Sequence, residues 1–364
     1  MSILNAVEQT AIDLRTLYAQ YGYRPYKVNQ FEEYDLYARN KRFLTSEQIL
    51  TFCDTDGKLM ALKPDVTLSI VKNTKDEDTP LKVSYAEAVY RVPRGAYGFR
   101  EIMQVGVECI GTVDVYAMGE VLMLAARSLQ AISGQYVLDV SDMGVVSGIL
   151  AGEALDDAAR AQLLALISEK NLHELRARCR TLGLSGRTAQ LLEALITVCG
   201  PLCRTLETLG QLGLPEACAE SMNNLRAVAG LMQAYGMENI NLDFSVVNDM
   251  SYYNGLIFSG FVDGVPASVL SGGRYDPLMK RMGRRSQAIG FAVYLDQLER
   301  FAPAREAYDV DALILYDGQS DPLAVAGAAQ GRTAEGQSVR VQPGSGGAIR
   351  ARETIDLRSG RERP

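Results

Sequence analysis

In residues 82–111, apolar positions alternate with polar ones in two runs, and a glycine- and proline-rich segment separates them. The first run, VSYAEAVYR, is rich in β-formers, and the second, FREIMQVGVECIG, continues as another strand. The pattern predicts an antiparallel hairpin, with Arg91 ending its first strand and Arg94 and Arg100 in or beside the loop. Guanidinium groups gathered in this way suit a phosphate or carboxylate ligand, although an ordinary surface hairpin has the same pattern.

Before this hairpin, the chain predicts a helix, a tight turn and a second helix. Residues 3–21 place apolar side chains near helical spacing and predict an amphipathic helix that leads into a strand. ILTFCDT and KLMALK flank Asp56-Gly57, a dipeptide that accommodates the positive φ of a tight hairpin turn. LKPDVT then opens a helix, where Asp65 and Thr67 can cap unpaired amides.

After the central hairpin, the spacing of apolar residues changes from a mixed pattern to a helical one and then back to a strand pattern. A helix is predicted at residues 113–132 and a strand at YVLDVSD, and residues 147–236 then contain Ala- and Leu-rich helical segments separated by Gly or Pro. From Ile240 the β pattern returns, with SGGRYD and then GFAVYLDQL, a glycine-led strand entering a helix. The last residues predict strand, helix and strand, followed by GSGG and an Arg-rich tail.

Composition narrows the functional classes. The chain has 364 residues, of which 47% are hydrophobic and 22% charged, as in ordinary globular proteins. Its net charge of −7 argues against a general nucleic-acid surface. No apolar run approaches the roughly 20 residues of a membrane span, so we expect a soluble, cytoplasmic protein.

The six cysteines contain no CxxC pair and follow no leader, so we expect reduced, mostly buried thiols. Cys199 and Cys203 are spaced to contact a metal, but a proline lies between them and His173 is the single histidine. We therefore expect neither a metal site nor a cofactor.

The chain resembles histidyl-tRNA synthetases, which are class II aminoacyl-tRNA synthetases. The matching elements occur in the family's order: the N-terminal helix and strand, LKPDVT, YRVPRGAYGFREIMQVGVE, YYN with GGRYD, and GFAVYLDQL. The resemblance covers about residues 5–300 and implies an α+β fold, a class II antiparallel sheet flanked by helices. It also implies a homodimer formed through the N-terminal helix and strand, although a plain packing helix would show the same residues.

The resemblance divides the chain into a synthetase-like core at residues 1–146 and 237–305, a helical insertion at 147–236, and a truncated C-terminal βαβ segment and tail at 306–364. A complete synthetase carries an anticodon-binding domain in the last position, and residues 309–364 are too few to bury an equivalent core.

The amino-acid side of the family's pocket is well matched. The resemblance implies histidine-binding roles for Asp65, Thr67, Gln104, Glu108, Tyr252, Tyr253 and Tyr275. Gln104 and Glu108 are four residues apart, so on a strand they face the same side. Each residue also has a structural explanation, such as capping for Asp65 and core packing for the tyrosines.

The nucleotide side departs from the family. Arg91 remains and is interpreted as a vestigial phosphate contact, whereas a family glutamate is replaced by Pro93 and two family arginines by Asn248 and Gln297. Activation of an amino acid by ATP needs fixed positive charge, so ligase activity and catalytic residues are not expected.

A synthetase core altered in this way resembles the regulatory subunits of ATP phosphoribosyltransferase, the first enzyme of histidine biosynthesis. The implied partners are a short-form catalytic subunit, histidine and a second copy of the chain, with no nucleic acid or membrane. The alternatives are an active histidyl-tRNA synthetase, a stand-alone histidine-adenylating enzyme, or a synthetase-like protein serving an unrelated partner.

Overall fold

The computed structural model describes residues 6–41, 44, 48–77, 79–92, 98–246, 252–299, 308–344 and 347–358. The chain divides into two compact units, of which the larger spans Gln9–Phe301 and the smaller takes in Ala302–Pro364. Each unit has its own sheet and helices.

The helices and strands of the larger unit follow the predicted order. The helices are α1 (Ala6–Gln20), α2 (Tyr34–Arg39), α3 (Val66–Asn73), α4 (Val115–Ile132), α5 (Met143–Ile149), α6 (Asp157–Ser168), α7 (Leu172–Thr181), α8 (Gly186–Thr197), α9 (Leu202–Gly210), α10 (Ala219–Ala234), α11 (Asp276–Arg281) and α12 (Leu295–Glu299). The strands are β1 (Arg24–Pro25), β2 (Phe31–Glu33), β3 (Thr51–Cys53), β4 (Leu59–Leu62), β5 (Leu81–Arg91), β6 (Arg100–Gly111), β7 (Tyr136–Asp142), β8 (Gly200–Pro201), β9 (Ile240–Leu242), β10 (Leu256–Val262), β11 (Leu270–Arg274) and β12 (Gln287–Tyr294).

The main sheet of the described chain has nine strands in the order β1-β5-β6-β12-β11-β10-β7-β9-β8. The β1–β5 and β7–β9 pairs are parallel, and the other pairs are antiparallel. The predicted central hairpin is confirmed, since β5 and β6 pair along their length from Leu81 opposite Ile110 to Arg91 opposite Arg100.

Helices cover one face of this sheet. Asp114 is the N-cap of α4. The buried side of this helix packs on β7, β10 and β12 and against α10. On α1, the buried Tyr18 ring meets Phe291 of β12 edge to face at 5.8 Å, and its hydroxyl lies 2.9 Å from Ser128 Oγ. The expected amphipathic helix is therefore present, although Ile12 on it is 42% exposed.

The opposite face of the sheet meets a second, smaller layer. Here β2, β4 and β3 form a three-stranded antiparallel sheet, and α3 and α11 pack beside it over a cluster of buried apolar side chains. The predicted β3–β4 hairpin is confirmed: Gly57 has φ +77°, and Asp54 Oδ1 accepts hydrogen bonds from the Asp56 and Lys58 amides at 2.9 and 2.8 Å.

The segment predicted to be helical contains α6 to α10, as expected, but it is not wholly helical. Gly200 and Pro201 form β8, which pairs with β9 at the edge of the main sheet. Gly200 has φ +135°, a conformation for which helical periodicity gives no signal.

In the smaller unit, β13 (Val310–Tyr316), α13 (Pro322–Ala334) and β14 (Val339–Pro343) match the predicted strand, helix and strand. The expectation of a tail after them is wrong for β15 (Ala351–Asp356), which pairs in parallel with β13. Its charged residues obscured the strand pattern, and two of them form ion pairs, Glu353 with Arg332 and Arg352 with Asp311.

All six cysteines are free thiols, but the expectation that most are buried is wrong for half of them. Cys109, Cys179 and Cys218 are buried, whereas Cys53 and Cys199 are exposed and Cys203 is partly exposed. Cys53 is the last residue of β3, and every residue of this strand is exposed. The apolar character of cysteine therefore did not indicate that Cys53 lies at the surface.

Close packing between strands makes Gly106 essential to the sheet. A Cβ at this position would overlap the Phe291 carbonyl oxygen and the ring of Tyr85, and backbone atoms of paired strands cannot move aside separately. We expect Gly106→Ala to lower the free energy of unfolding by about 1 to 3 kcal/mol in urea denaturation. Gly134→Ala is the control, because nothing lies within 4 Å of its added Cβ. Equal stability of the two variants would contradict this packing argument.

Candidate functional site

The pairing of β6 with β5 and β12 places Gln104 and Glu108 on the face of the sheet that α4 does not cover. Gln104 pairs with Glu87 and Tyr294, and Glu108 pairs with Val83 and Gly290. Both side chains are buried, and their four-residue separation puts them on one side of the strand, as predicted.

The Glu108 carboxyl is the centre of the site. Thr67 Oγ1 donates to its Oε1 at 2.7 Å, and the Tyr275 hydroxyl donates to its Oε2 at 2.5 Å. Burial raises the pKa of Glu108 to about 8, although both hydroxyl donors act in the opposite direction. Burial thus disfavours the ionised form of this carboxyl, and a cationic group beside it would favour that form.

Asp65 and Thr67 come to this carboxyl from the start of α3. Asp65 caps the helix by accepting the Leu68 amide at 2.8 Å, which confirms the structural explanation for this residue. Burial also raises the pKa of Asp65, and the charge of Arg91 opposes that shift. Thr67, two residues after Asp65, is the residue that donates to Glu108. The capping contact of Asp65 therefore does not compete with the contact between α3 and Glu108.

Three tyrosines form the wall beside Glu108. The rings of Tyr252 and Tyr253 lie 4.4 Å apart between centroids, and Tyr252 lies 6.1 Å from Tyr275. Tyr252 also hydrogen-bonds with Thr67, and burial raises the pKa values of all three phenols well above 10. The wall is therefore uncharged and aromatic.

Two glycines make room for these side chains on the floor of the pocket. Gly290, opposite Glu108, carries no side chain where the Glu108 carboxylate lies, and Gly273 leaves space for the Tyr253 ring. Gly273 and Gly290 are themselves paired between β11 and β12. Glycine in GGRYD and in GFAVYL thus permits the close approach that the sequence suggested.

The arginine side of the site is less complete. Arg91 lies over the Tyr294 ring, with its guanidinium carbon 5.7 Å from the centroid, whereas Arg100 opposite it is exposed. Arg94, Pro93 and Asn248 lie outside the described residues. Gln297 donates to the neighbouring Asp296 at 2.9 Å. Of the predicted arginine cluster, the structure therefore brings Arg91 to the pocket and leaves Arg100 in solvent.

Sequence reasoning missed a buried ion pair next to Gln104. Lys63 Nζ lies 2.7 Å from Glu87 Oε2, their side chains are 0% and 9% exposed, and Glu87 also accepts the Val28 amide at 3.1 Å. Glu87 is the cross-strand partner of Gln104, so the pair supports one wall of the site. The lysine of LKPDVT and the glutamate of VSYAEAVYR were the available signals.

Tyr253 also lines a cleft of ≈ 200 Å³. Its lining includes Asp139, Ser259 and Ser271, which occupy one cross-strand row of β7, β10 and β11. Ser271 Oγ lies 2.5 Å from the Tyr294 hydroxyl, which links this cleft to the ring beneath Arg91.

The arrangement suits binding of a small cationic or amphoteric ligand. The buried carboxyl of Glu108 and the partly exposed carboxyl of Asp65 lie near hydroxyl and aromatic groups, so a ligand ammonium or imidazole would be recognised by charge and by hydrogen bonds. Among the described residues, no group of three or more His, Cys, Asp and Glu side chains could hold a metal ion. No helix within the described ranges has the length and hydrophobicity needed to cross a membrane.

The family model described as Histidyl-tRNA synthetase matches residues 3–298. This chain belongs to the histidyl-tRNA synthetase family. The α+β fold expected from the resemblance, a class II sheet flanked by helices, is thereby confirmed. Family membership also accounts for the shared position of LKPDVT, YYN and GGRYD around Glu108.

Within this family, similar proteins carry a more specific name. The chain is 28% identical over 286 residues to the ATP phosphoribosyltransferase regulatory subunit of Alkaliphilus metalliredigens, covering 77% of this chain and 72% of that protein. A crystal structure of an ATP phosphoribosyltransferase regulatory subunit/histidyl-tRNA synthetase from Bacillus halodurans is similar with a TM-score of 0.79 at 24% identity, covering 99% and 97% of the two chains. A chain of the ATP phosphoribosyl transferase (HisG:HisZ) complex from Thermotoga maritima has a TM-score of 0.62 at 19% identity, with 81% and 98% covered.

The raised pKa of Glu108 makes a testable prediction about stability. Between the ordinary value of 4.5 and about 8, the unfolded chain releases a proton that the folded protein keeps, so this carboxyl lowers stability as pH rises through that window. Glu108→Gln removes the ionisable group. In urea denaturation, we expect the variant to gain stability relative to the natural protein at about pH 9 compared with about pH 5.

Glu101→Gln is the control for this experiment, since Glu101 lies on the same strand but is exposed. It should show the same difference from the natural protein at both pH values. A Glu108→Gln difference that does not change with pH would mean that the buried carboxyl is already ionised in the folded protein.

Proposed function

We propose that this protein is a regulatory subunit of ATP phosphoribosyltransferase, the enzyme that begins histidine biosynthesis. In this role it activates a separate short-form catalytic chain and relays feedback inhibition by histidine. The observation that carries the proposal is a pocket built around Glu108, Thr67 and Tyr275, in a chain whose nucleotide-side charges have been replaced. The names of its relatives in the histidyl-tRNA synthetase family support the same role.

The replaced charges argue against catalysis by this chain itself. Attack of a carboxylate on the α-phosphate of ATP brings two negative groups together, and fixed cations must neutralise them. Gln297 and Asn248 are uncharged where the resemblance expects arginine, and Pro93 cannot replace a carboxylate. Of these three family arginine positions, Arg91 keeps its charge. Loss of one such donor typically lowers the rate by a factor of about 10² to 10³.

Histidine fits the retained half of the pocket. Glu108 and Asp65 would lie near its charged nitrogens, and Gln104 would make a polar contact. Tyr252, Tyr253 and Tyr275 would form the walls, with Thr67 held between Glu108 and Tyr252. Feedback then requires that histidine bind two states of the assembly with different affinity.

The proposed assembly is a cytoplasmic homodimer that associates with the catalytic subunit. The support for the partner is the name of a structural relative, the HisG:HisZ complex from Thermotoga maritima. The proposed dimer element is α1 with β1, by resemblance to the family. Residues 147–236 are proposed to be an insertion in the synthetase core, and residues 306–364 a truncated C-terminal segment.

Mixing the two proteins tests the regulatory role. We expect the catalytic subunit to be weakly active alone and its rate to rise when this protein is added, because phosphoribosyl transfer belongs to the other chain. The measurement is the ATP phosphoribosyltransferase rate at increasing amounts of this protein. An unchanged rate at saturation would reject the proposal. Histidine-dependent ATP–pyrophosphate exchange by the isolated protein would favour an active synthetase or adenylating enzyme instead.

Replacing the central carboxyl tests the ligand. Loss of a charged partner in a desolvated site costs about 2 to 5 kcal/mol of binding free energy, so Glu108→Ala should abolish measurable histidine binding in calorimetry and blunt inhibition of the mixed complex. Glu101→Ala, on the exposed part of the same strand, should bind histidine as the natural protein does. Intact inhibition of a complex containing Glu108→Ala would place the feedback site elsewhere.

A further inference from the structure

The aromatic wall of the pocket is attached to the rest of the site through one buried carboxylate. Asp276, which is 5% exposed, begins α11 directly after Tyr275. Its Oδ2 accepts hydrogen bonds from Arg274 Nε at 2.8 Å and from Asn254 Nδ2 at 3.1 Å, and its Oδ1 accepts the Ala288 amide at 3.2 Å. Three segments of the larger unit thus meet at this side chain.

The contact with Asn254 is reciprocal. Asn254 Oδ1 accepts the Asp276 amide at 3.2 Å, and the Asn254 amide donates to the Arg274 carbonyl at 3.2 Å. Two residues that each directly follow a pocket tyrosine are therefore joined by a closed ring of hydrogen bonds. Tyr253 precedes Asn254, and Tyr275 precedes Asp276.

This ring determines where the tyrosines lie relative to Glu108. The segment of Tyr252 and Tyr253 leads into β10 through Asn254, and no strand pairing includes these three residues. Tyr275 is held by its own amide, which donates to the Ala288 carbonyl at 2.9 Å, and by its hydroxyl on Glu108. The Asn254–Asp276 pair connects the less regular segment to the firmly held one.

We infer that Asn254 and Asp276 are positioning residues of the pocket, which hold Tyr252 and Tyr253 against Tyr275 and so set the affinity for the amino-acid ligand. This inference rests on the proposed function for the identity of that ligand, histidine. Neither residue touches the ligand in this scheme, and both act through the tyrosines.

A purely structural role predicts a different result from a positioning role. Asn254 is exposed, and Asp276 keeps Arg274 and the Ala288 amide when the asparagine side chain is removed. Asn254→Ala therefore leaves no buried charge unpaired and should shift the melting temperature by no more than about 2 °C. The wall, in contrast, loses its connection, and ligand affinity should fall.

The test is calorimetric titration with histidine of the full chain and of its Asn254 variants. We expect Asn254→Ala to weaken binding about ten-fold, as for loss of a hydrogen-bonded pair. Asn254→Asp should be at least as weak, because two carboxylates then face each other.

Asn73→Ala is the matched control. Asn73 Nδ2 donates to Glu32 Oε1 at 3.1 Å, and Glu32 keeps Lys72 as a cationic partner, just as Asp276 keeps Arg274. It should leave histidine affinity unchanged at a similar melting temperature.

The outcomes separate this inference from the proposed function. If the natural protein binds histidine and Asn254→Ala binds it equally well, the positioning role is wrong and the proposed function stands. The same holds if Asn254→Asp binds histidine as tightly as the natural protein. If the natural protein binds no histidine, the proposed ligand is wrong, and this inference is overturned with it.

Discussion

The candidate site depends on one buried carboxyl, Glu108, and on the hydroxyl groups that reach it. Thr67 from α3 and Tyr275 from the start of α11 donate to opposite oxygens of a side chain on β6. A buried polar group without partners costs free energy, so these bonds also fix how α3 and α11 lie on the sheet. Burial raises the pKa of this carboxyl, and the two hydroxyl donors oppose that shift without cancelling it.

Stability and ligand recognition are built from the same interactions in this pocket. Asp65 caps α3 and also faces the pocket, and the buried Lys63–Glu87 pair stands behind Gln104. Gly273 and Gly290 carry no side chain in the space that Tyr253 and Glu108 occupy. The residues that stabilise this part of the fold are therefore also the residues that shape the pocket.

This chain belongs to the histidyl-tRNA synthetase family, and the residues of its site differ in how the fold places them. Glu108, Thr67 and Tyr275 are placed by β6, α3 and the start of α11, whereas Tyr252 and Tyr253 lie outside the helices and strands. Gln297 lies at a position where the family resemblance expects arginine, and its side chain donates to Asp296. A substitution of this kind does not touch the contacts of Glu108, so the proposed regulatory role is compatible with an intact pocket.

Local periodicity was sufficient to predict the β5–β6 hairpin, the Asp-Gly turn, α4, and the shared face of Gln104 and Glu108, because these depend on neighbours in the chain. It did not reveal β8 or β15, which are strands only because distant strands offer unpaired backbone groups. Family resemblance named Tyr252, Tyr253 and Tyr275, but their attachment through Asn254 and Asp276 became visible only in the tertiary structure. Hydrogen bonds between residues 22 positions apart leave no periodic trace in a sequence, and folding alone brings them together.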